Sequence, residues 1–163
     1  MLSLLVAVSE NGVIGKDGDI PWYISSDLRR FKLLTLGHTV VMGRKTLESI
    51  VTRLGKPLPD RKNTVLTRQS DFHLAGVEVI TEDRLQEMSL DTEEIFVIGG
   101  SEVYQLALPM AKQVYLTRVD AKIEGDAFFP NLPEEEWGLT AAMRYPASEK
   151  DEYSYSFQLF GRR

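Results

Sequence analysis

The sequence predicts an α/β fold: a mixed, mostly parallel eight-stranded sheet flanked by about four helices, with an antiparallel C-terminal edge. Three observations carry this. Short β-rich runs alternate with helical stretches along most of the chain. Several of the runs are almost wholly apolar, as strands covered on both faces must be. The last two runs are separated by loop alone and alternate apolar with polar residues, the pattern of an antiparallel pair with one wet face.

Taken in order, Leu2–Val8 opens the chain. It has no basic flank and no small-residue cleavage site, so it reads as a strand and not as a signal peptide. A helix follows over about Ser26–Leu36, with Ser25 or Ser26 placed to cap it. Strand Thr39–Met42 leads through Gly43 into a helix over about Lys45–Ile50, and Lys56-Pro57-Leu58-Pro59-Asp60 makes a rigid turn. Strands Thr64–Thr67 and Val77–Ile80 come next, then a weak helical turn near Arg84–Met88. Strand Ile95–Ile98 ends in Gly99-Gly100 before a helix over Glu102–Leu108, and Val114–Val119 is the next strand. Runs near Leu139–Arg144 and Tyr153–Phe160 close the sheet, with Tyr153, Tyr155, Phe157 and Leu159 on one face of the last one.

With 163 residues, no internal repeat and no linker, the chain reads as a single domain, 1–163. It has no cysteine, which excludes disulfides, thiolate nucleophiles and Cys-based zinc sites. Two histidines, His38 and His73, leave little room for a His-rich metal centre or a Ser-His-Asp triad. Asp17, Asp19 and Glu124-Gly125-Asp126 lack the ordered spacing of a calcium loop, so no metal is expected. The net charge of −5 disfavours nucleic acid as a partner. No run approaches the ~20 apolar residues of a membrane helix, and a cytoplasmic location is the default.

Three strand ends are candidate anion sites. Ile98-Gly99-Gly100-Ser101 turns a buried strand into a helix, with free N–H groups and room for a ligand to approach. It is not the full dinucleotide fingerprint, and on this feature alone a plain strand-to-helix turn is the simpler reading. Met42-Gly43-Arg44-Lys45-Thr46 puts two cations on an already positive helix terminus. A bound phosphate would remove that conflict; a solvated basic turn is the alternative. Leu66-Thr67-Arg68 ends a third strand in a hydroxyl and a guanidinium. Together the three fit a dinucleotide lying across the carboxyl edge of the sheet. Asp27 shares a helix face with Phe31 and Leu34 and is the one ionisable candidate on that apolar face. It is either a first-turn acid favoured by the helix dipole or a buried carboxyl whose pKa is raised so that it can donate a proton. The loop Gly12–Asp19, rich in Gly and Asp, is suited to act as a lid.

The ordered set of strings resembles the dihydrofolate reductase family almost end to end. It comprises Val13-Ile14-Gly15, Ile20-Pro21-Trp22, Asp27 with Phe31-Lys32, and Met42-Gly43-Arg44-Lys45-Thr46 with Glu48-Ser49-Ile50. It continues through Pro57-Leu58-Pro59-Asp60-Arg61-Lys62-Asn63, Leu66-Thr67-Arg68, Ile98-Gly99-Gly100 with Tyr104, Tyr115-Leu116-Thr117, and Glu124-Gly125-Asp126 with Phe129-Pro130. The resemblance implies NADPH-dependent reduction of 7,8-dihydrofolate to tetrahydrofolate by a monomer that also binds antifolate inhibitors. It implies Asp27 against the pterin, with Thr117 and a water held by Trp22 completing the polar network. Leu5, Val6, Ile98 and Tyr104 would border the substrate, and Leu28, Phe31, Ile50 and Leu58 would line its aminobenzoyl slot. Arg61 would grip the α-carboxylate of the glutamate tail, with Lys32 nearby. Arg44, Thr67 and Arg68, beside Leu66, would hold the 2′-phosphate end of NADPH. Gly43, Lys45, Thr46, Gly99, Gly100, Ser101, Glu102 and Val103 would meet the pyrophosphate, and Ala7, Ile14, Ile20, Ile98 and Tyr104 the nicotinamide. The Gly99-Gly100 bond is expected to be cis.

The sequence departs from the commonest bacterial pattern at three points. Val51–Leu54 is a short insertion before Gly55, Ile20 stands where Met or Leu is usual, and Glu102 brings a negative charge near the pyrophosphate. Two rivals share these features: another NADPH-dependent reductase on the same fold, acting on a pyrimidine or a different pterin, and a catalytically idle folate- or nucleotide-binding protein. Asp27 with Arg61 argues against the first, and the intact Trp22, Asp27 and Thr117 set against the second.

Overall fold

The structure is a computed structural model that describes residues 1–163. Its elements run β1 (Leu2–Ser9), β2 (Val13–Gly15), α1 (Ser25–Thr35), β3 (Thr39–Gly43), α2 (Arg44–Leu54), β4 (Lys62–Leu66), β5 (Val77–Ile80) and α3 (Glu82–Ser89). They continue as β6 (Ile95–Val97), α4 (Ser101–Ala107), a 3-10 turn (Leu108–Met110), β7 (Ala111–Val119), β8 (Ala127–Phe128), β9 (Trp137–Tyr145) and β10 (Tyr155–Arg162). The eight-stranded sheet has the order β5-β4-β3-β6-β1-β7-β10-β9. Strands β5 through β7 pair in parallel, and β10 is antiparallel to both β7 and β9.

β1 occupies the centre because it is apolar on both faces. Its Leu2, Leu4, Val6 and Val8 pack with Val41, Val97, Leu85, Val114 and Leu116. Leu5 points the other way, into a cluster with Val40, Met42, Leu47, Ile50, Val65 and Phe96. The same period-2 split recurs in β3 and β6, where Val41 and Val97 face one cluster while Val40, Met42 and Phe96 face the other. β6 inserts between β3 and β1, so the chain leaves β1 in opposite directions on its two flanks. In open α/β sheets ligands bind in the crevice that such a switch point leaves at the carboxyl ends.

Three local expectations are corrected. Neither Ser25 nor Ser26 caps α1 through its side chain. The cap comes from Asp151 in the β9–β10 loop, which accepts the Ser26 N–H (2.9 Å) and the Ser26 hydroxyl (2.9 Å). Burial pushes the Asp151 carboxyl up, but these bonds and one from the Ser148 hydroxyl outweigh it and hold the carboxyl below its ordinary value. Next, the helix expected to end at Ile50 runs on through Val51–Leu54 as the last turn of α2 and stops at Gly55 in the left-handed conformation (φ 78°). Last, β2 and β8, absent from the sequence expectation, form a separate antiparallel pair, with β2 lying inside the Gly12–Asp19 segment. No helix is long and apolar enough to cross a membrane.

Candidate active site

The carboxyl end of β1, the turn after β6 and the start of α2 after β3 border a cleft of about 730 Å³. Leu5, Val6 and Ala7 of β1 line its floor with Ile98-Gly99-Gly100-Ser101 and Tyr104. Asp27, Leu28 and Phe31 of α1 form one wall, and Lys45, Thr46, Ser49, Ile50, Arg53 and Leu54 of α2 the other, with Leu58 beyond. Ile14, Gly15, Gly18 and Asp19 of the Gly12–Asp19 segment, with Ile20, Asp126 and Ala127, complete the rim.

Asp27 is the polar point in the apolar half of this cleft. Its Oδ1 accepts the Thr117 hydroxyl at 2.5 Å. Thr117 lies on β7, opposite Ala7 of β1 and Phe157 of β10, and is 1% exposed. Burial raises the Asp27 carboxyl above its ordinary value. The Thr117 bond and the charge of Arg30 oppose that rise, and Asp151 adds to it. Both sequence readings of Asp27 therefore meet in one residue: it occupies the first turn of α1, and it is a desolvated carboxyl. Tyr104 donates to the Leu5 carbonyl at 2.7 Å, and burial, followed by the charge of Asp27, pushes its phenol up, so it stays neutral.

The other half of the cleft is bare backbone. The Gly43 N–H donates to the Gly99 carbonyl at 2.8 Å, tying the end of β3 to the turn after β6. A Cβ at Gly43 would stand 3.2 Å from Val103 Cγ2, and Gly99 has φ +124°, where side chains are strained. The Gly99-Gly100 peptide is cis. Lys45, Thr46 and Ser101 stand at the helix starts beside this bare stretch.

The dihydrofolate reductase family model matches residues 1–162. The chain belongs to the dihydrofolate reductase family. It is 42% identical to the dihydrofolate reductase type 3 of Salmonella typhimurium, over 100% of this chain and 99% of that protein. It is 38% identical to dihydrofolate reductase from Bacillus subtilis (strain 168), over 100% and 95% of the two chains. The solved structure of dihydrofolate reductase from Enterococcus faecalis, complexed with NADP(H) and RAB-propyl, superposes with a TM-score of 0.90 at 33% identity. That match covers 100% of this chain and 96% of the other.

Of the residues marked by the dihydrofolate reductase resemblance, Leu5, Val6, Ala7, Ile14, Ile20, Asp27, Leu28, Phe31, Lys45, Thr46, Ile50 and Leu58 border the cleft, as do Ile98, Gly99, Gly100, Ser101 and Tyr104. Thr117 reaches it through Asp27. Trp22 packs with Val13, Ile24, Val119 and Tyr155 and does not border the cleft. Arg44 pairs with Glu48 (3.3 Å) and Arg68 with Glu82 (3.5 Å), both outside the lining with Gly43, Leu66, Thr67 and Val103. Lys32 and Glu102 are exposed and also stand outside it. Arg61 donates to the Pro59 carbonyl (2.7 Å) and to the Thr35 hydroxyl (3.2 Å). Asn63 pins the intervening turn through Leu58, donating to its carbonyl (2.8 Å) and accepting its N–H (3.1 Å).

Arg30 corrects the expectation that Asp27 is the one ionisable group on its helix face. Its guanidinium lies 4.2 Å from the Phe157 ring centre and 5.9 Å from that of Tyr115. Its Nη1 is buried without a hydrogen-bond partner, and its charge reaches Asp27. The i, i+3 spacing from Asp27 was the available sequence signal. The lid loop is clasped from below. Asn11 donates to the Ile123 carbonyl (2.8 Å) and accepts its N–H (2.9 Å), the Asp17 N–H donates to Asp126 (3.0 Å), and the Asp126 N–H donates to the Gly15 carbonyl (3.0 Å).

Proposed function

We propose that the apolar half of the cleft seats the pterin of 7,8-dihydrofolate against Asp27, and that Asp27 serves the proton half of the reaction. Membership of the dihydrofolate reductase family carries the reaction itself: NADPH-dependent reduction of 7,8-dihydrofolate to 5,6,7,8-tetrahydrofolate. NADPH, when bound, supplies the hydride delivered to C6. The residues present fit it. Gly99 and Gly100 bring bare backbone to the lining, and Lys45, Thr46 and Ser101 offer a cation and two hydroxyls beside it. Arg44, Thr67 and Arg68 are the groups for a 2′-phosphate, and Ala7, Ile14, Ile20 and Tyr104 border the nicotinamide position. Arg61 serves the α-carboxylate of the tail, with Lys32 at its approach. Antifolate inhibitors take the same pterin position. The reading includes a monomeric enzyme.

The observation that carries the reading is the desolvated Asp27 carboxyl held by Thr117 inside an apolar cleft. A carboxyl there hydrogen-bonds the pterin and favours a proton on N5, and a water near Trp22 and Thr117 delivers it. The remaining walls exclude bulk water and hold the reacting rings in contact. The test follows NADPH absorbance with and without dihydrofolate. Asp27→Asn keeps the fold and NADPH binding, loses most turnover at neutral pH and regains part of it in acid, where solvent protonates dihydrofolate before it binds. Near-normal turnover at neutral pH, or no acid recovery in a folded variant, refutes the role.

A further inference from the structure

We propose that Arg30 is a positioning residue for the reaction: its guanidinium, gripped by aromatic rings behind the cleft, acts by charge on Asp27; this rests on the functional reading above. Asp27 and Arg30 stand one turn apart on α1, at i and i+3. Asp27 lines the cleft and Arg30 does not. The Arg30 guanidinium lies against the sheet instead, 4.2 Å from the Phe157 ring centre on β10 and 5.9 Å from that of Tyr115 on β7. It forms no ion pair, and its Nη1 is buried without a hydrogen-bond partner. Rings hold this cation, not carboxylates.

The rings are themselves braced. Phe157 packs against Tyr145 (5.3 Å between ring centres) and Tyr155 (5.1 Å), and those two stack on each other. The Tyr115 hydroxyl donates to Glu94 at 3.1 Å, and Glu94 also accepts the Ser3 hydroxyl at 2.6 Å. Phe157 is the cross-strand neighbour of Thr117. One β7–β10 pair therefore serves both partners of Asp27: Thr117 gives the carboxyl a hydrogen bond, and Phe157 seats the cation. A charge held against rings is poorly screened, so it acts on a buried carboxyl more strongly than a solvated one would. Burial lowers the Arg30 pKa and the charge of Asp27 opposes that, but a guanidinium stays charged all the same. The other groups facing the pair are Asp151 of the β9–β10 loop, a like charge for Asp27, and the phenols of Tyr104, Tyr115 and Tyr145. Glu94 reaches only Tyr115. Arg30 is the one cation among them. A purely structural role for Arg30 predicts a loss of stability with an unmoved pH profile.

The experiment records kcat/KM for dihydrofolate against pH, the KM for NADPH and thermal unfolding. It compares the wild type with Arg30→Met, Arg30→Lys, Phe157→Leu and the double variant Arg30→Met with Phe157→Leu. Arg30→Met keeps a long side chain and loses the charge, so the falling limb moves to higher pH. Arg30→Lys keeps a cation between the rings, and its limb stays near that of the wild type. Phe157→Leu changes no charge and lies outside the cleft lining. It still loosens the cation and moves the limb the same way, by less than Arg30→Met. The double variant matches Arg30→Met alone, because no cation is left for the ring to seat. Placed in Asp27→Asn, Arg30→Met adds no shift, and the KM for NADPH keeps its wild-type value throughout. A folded Arg30→Met whose limb stays in place or moves toward acid overturns the assignment and leaves the functional reading standing. A double variant that moves beyond Arg30→Met does the same. If Phe157→Leu does not fold, Arg30→Lys decides: a limb coincident with that of Arg30→Met overturns the assignment. If the wild type oxidises no NADPH in the presence of dihydrofolate, the functional reading falls and this assignment with it.

Discussion

Replacing Thr117 by Val tests the proton site through a residue that never touches the cleft. The hydroxyl donates to Asp27 Oδ1 at 2.5 Å, and its effect is to favour the carboxylate. A hydrogen bond to a charged group contributes about 1.5–3 kcal/mol. Its loss moves the Asp27 pKa further upward. Val is well suited to a buried strand, and Thr117 sits in register between Ala7 and Phe157, so β7 should pair as before. If turnover needs the proton that Asp27 helps to hold, the rate falls as pH rises through the Asp27 pKa. The falling limb of kcat/KM against pH then shifts to higher pH. A limb that stays in place, or moves toward acid, refutes the coupling between Thr117, Asp27 and the reaction.

The same substitution makes a stability prediction with a definite sign. Burial raises the folded-state pKa of Asp27 above its unfolded value, so the folded protein binds the proton more tightly between the two. The stability contribution of Asp27 is complete below the unfolded pKa and is lost as pH rises through the folded one. Removing the Thr117 hydroxyl deepens that loss, because the ionised carboxyl is then buried with one donor fewer. Thr117→Val should therefore melt close to the wild type in acid and several degrees lower at neutral pH. The opposite ordering would mean that the hydroxyl supports the protonated carboxyl instead.

Four further outcomes are expected. Arg30→Met removes the other group that favours the Asp27 carboxylate, so the same pH limb should move in the same direction in a pH–rate profile. Arg44→Ala with Arg68→Ala should raise the KM for NADPH by at least about tenfold and leave that for NADH nearly unchanged; equal effects would remove the 2′-phosphate assignment. Gly125→Ala puts a Cβ 2.3 Å from Val13 Cγ1 and 2.6 Å from the Gly15 carbonyl oxygen. Overpacking of about 1–3 kcal/mol should lower the melting temperature by roughly 2–12 °C, read by calorimetry. Asp151→Ala takes away the α1 cap and should cost about 0.5–2 kcal/mol at neutral pH. Because the folded pKa of Asp151 is lowered, that stabilisation is present above the ordinary carboxylate pKa and disappears as pH falls through the folded value.

What was legible in the sequence divides along the range of the interactions. The eight strands of the main sheet could be read because each carries its own apolar run, and β1 and β3 are buried whatever they pair with. β2 and β8 could not, since three- and two-residue strands hold no period and exist only because Asn11, Asp17 and Asp126 stitch two distant loops together. The last turn of α2 was hidden for a related reason: Val51–Leu54 holds no period of its own and reads as helix only once Gly55 is seen to end it.

The site follows the same division, and Asp27 shows why. Its place in the first turn of α1 is a local fact, and an acid there needs no further explanation. What separates a capping acid from a functional one is the company it keeps. Thr117 arrives from 90 residues away, and Phe157 holds Arg30 in place from a strand beyond that. Neither α1 nor β7 contains the site by itself; pairing β7 with β1 brings Thr117 under the helix. Glycines and strand-end cations were readable because each does its work with its own backbone or charge. The tuning of the carboxyl was not, because burial, a hydroxyl and a cation from different elements set it jointly. Substitutions at Thr117 and Arg30 should therefore move the pH profile together while leaving the cofactor constants alone, and changes at Arg44 and Arg68 should do the reverse.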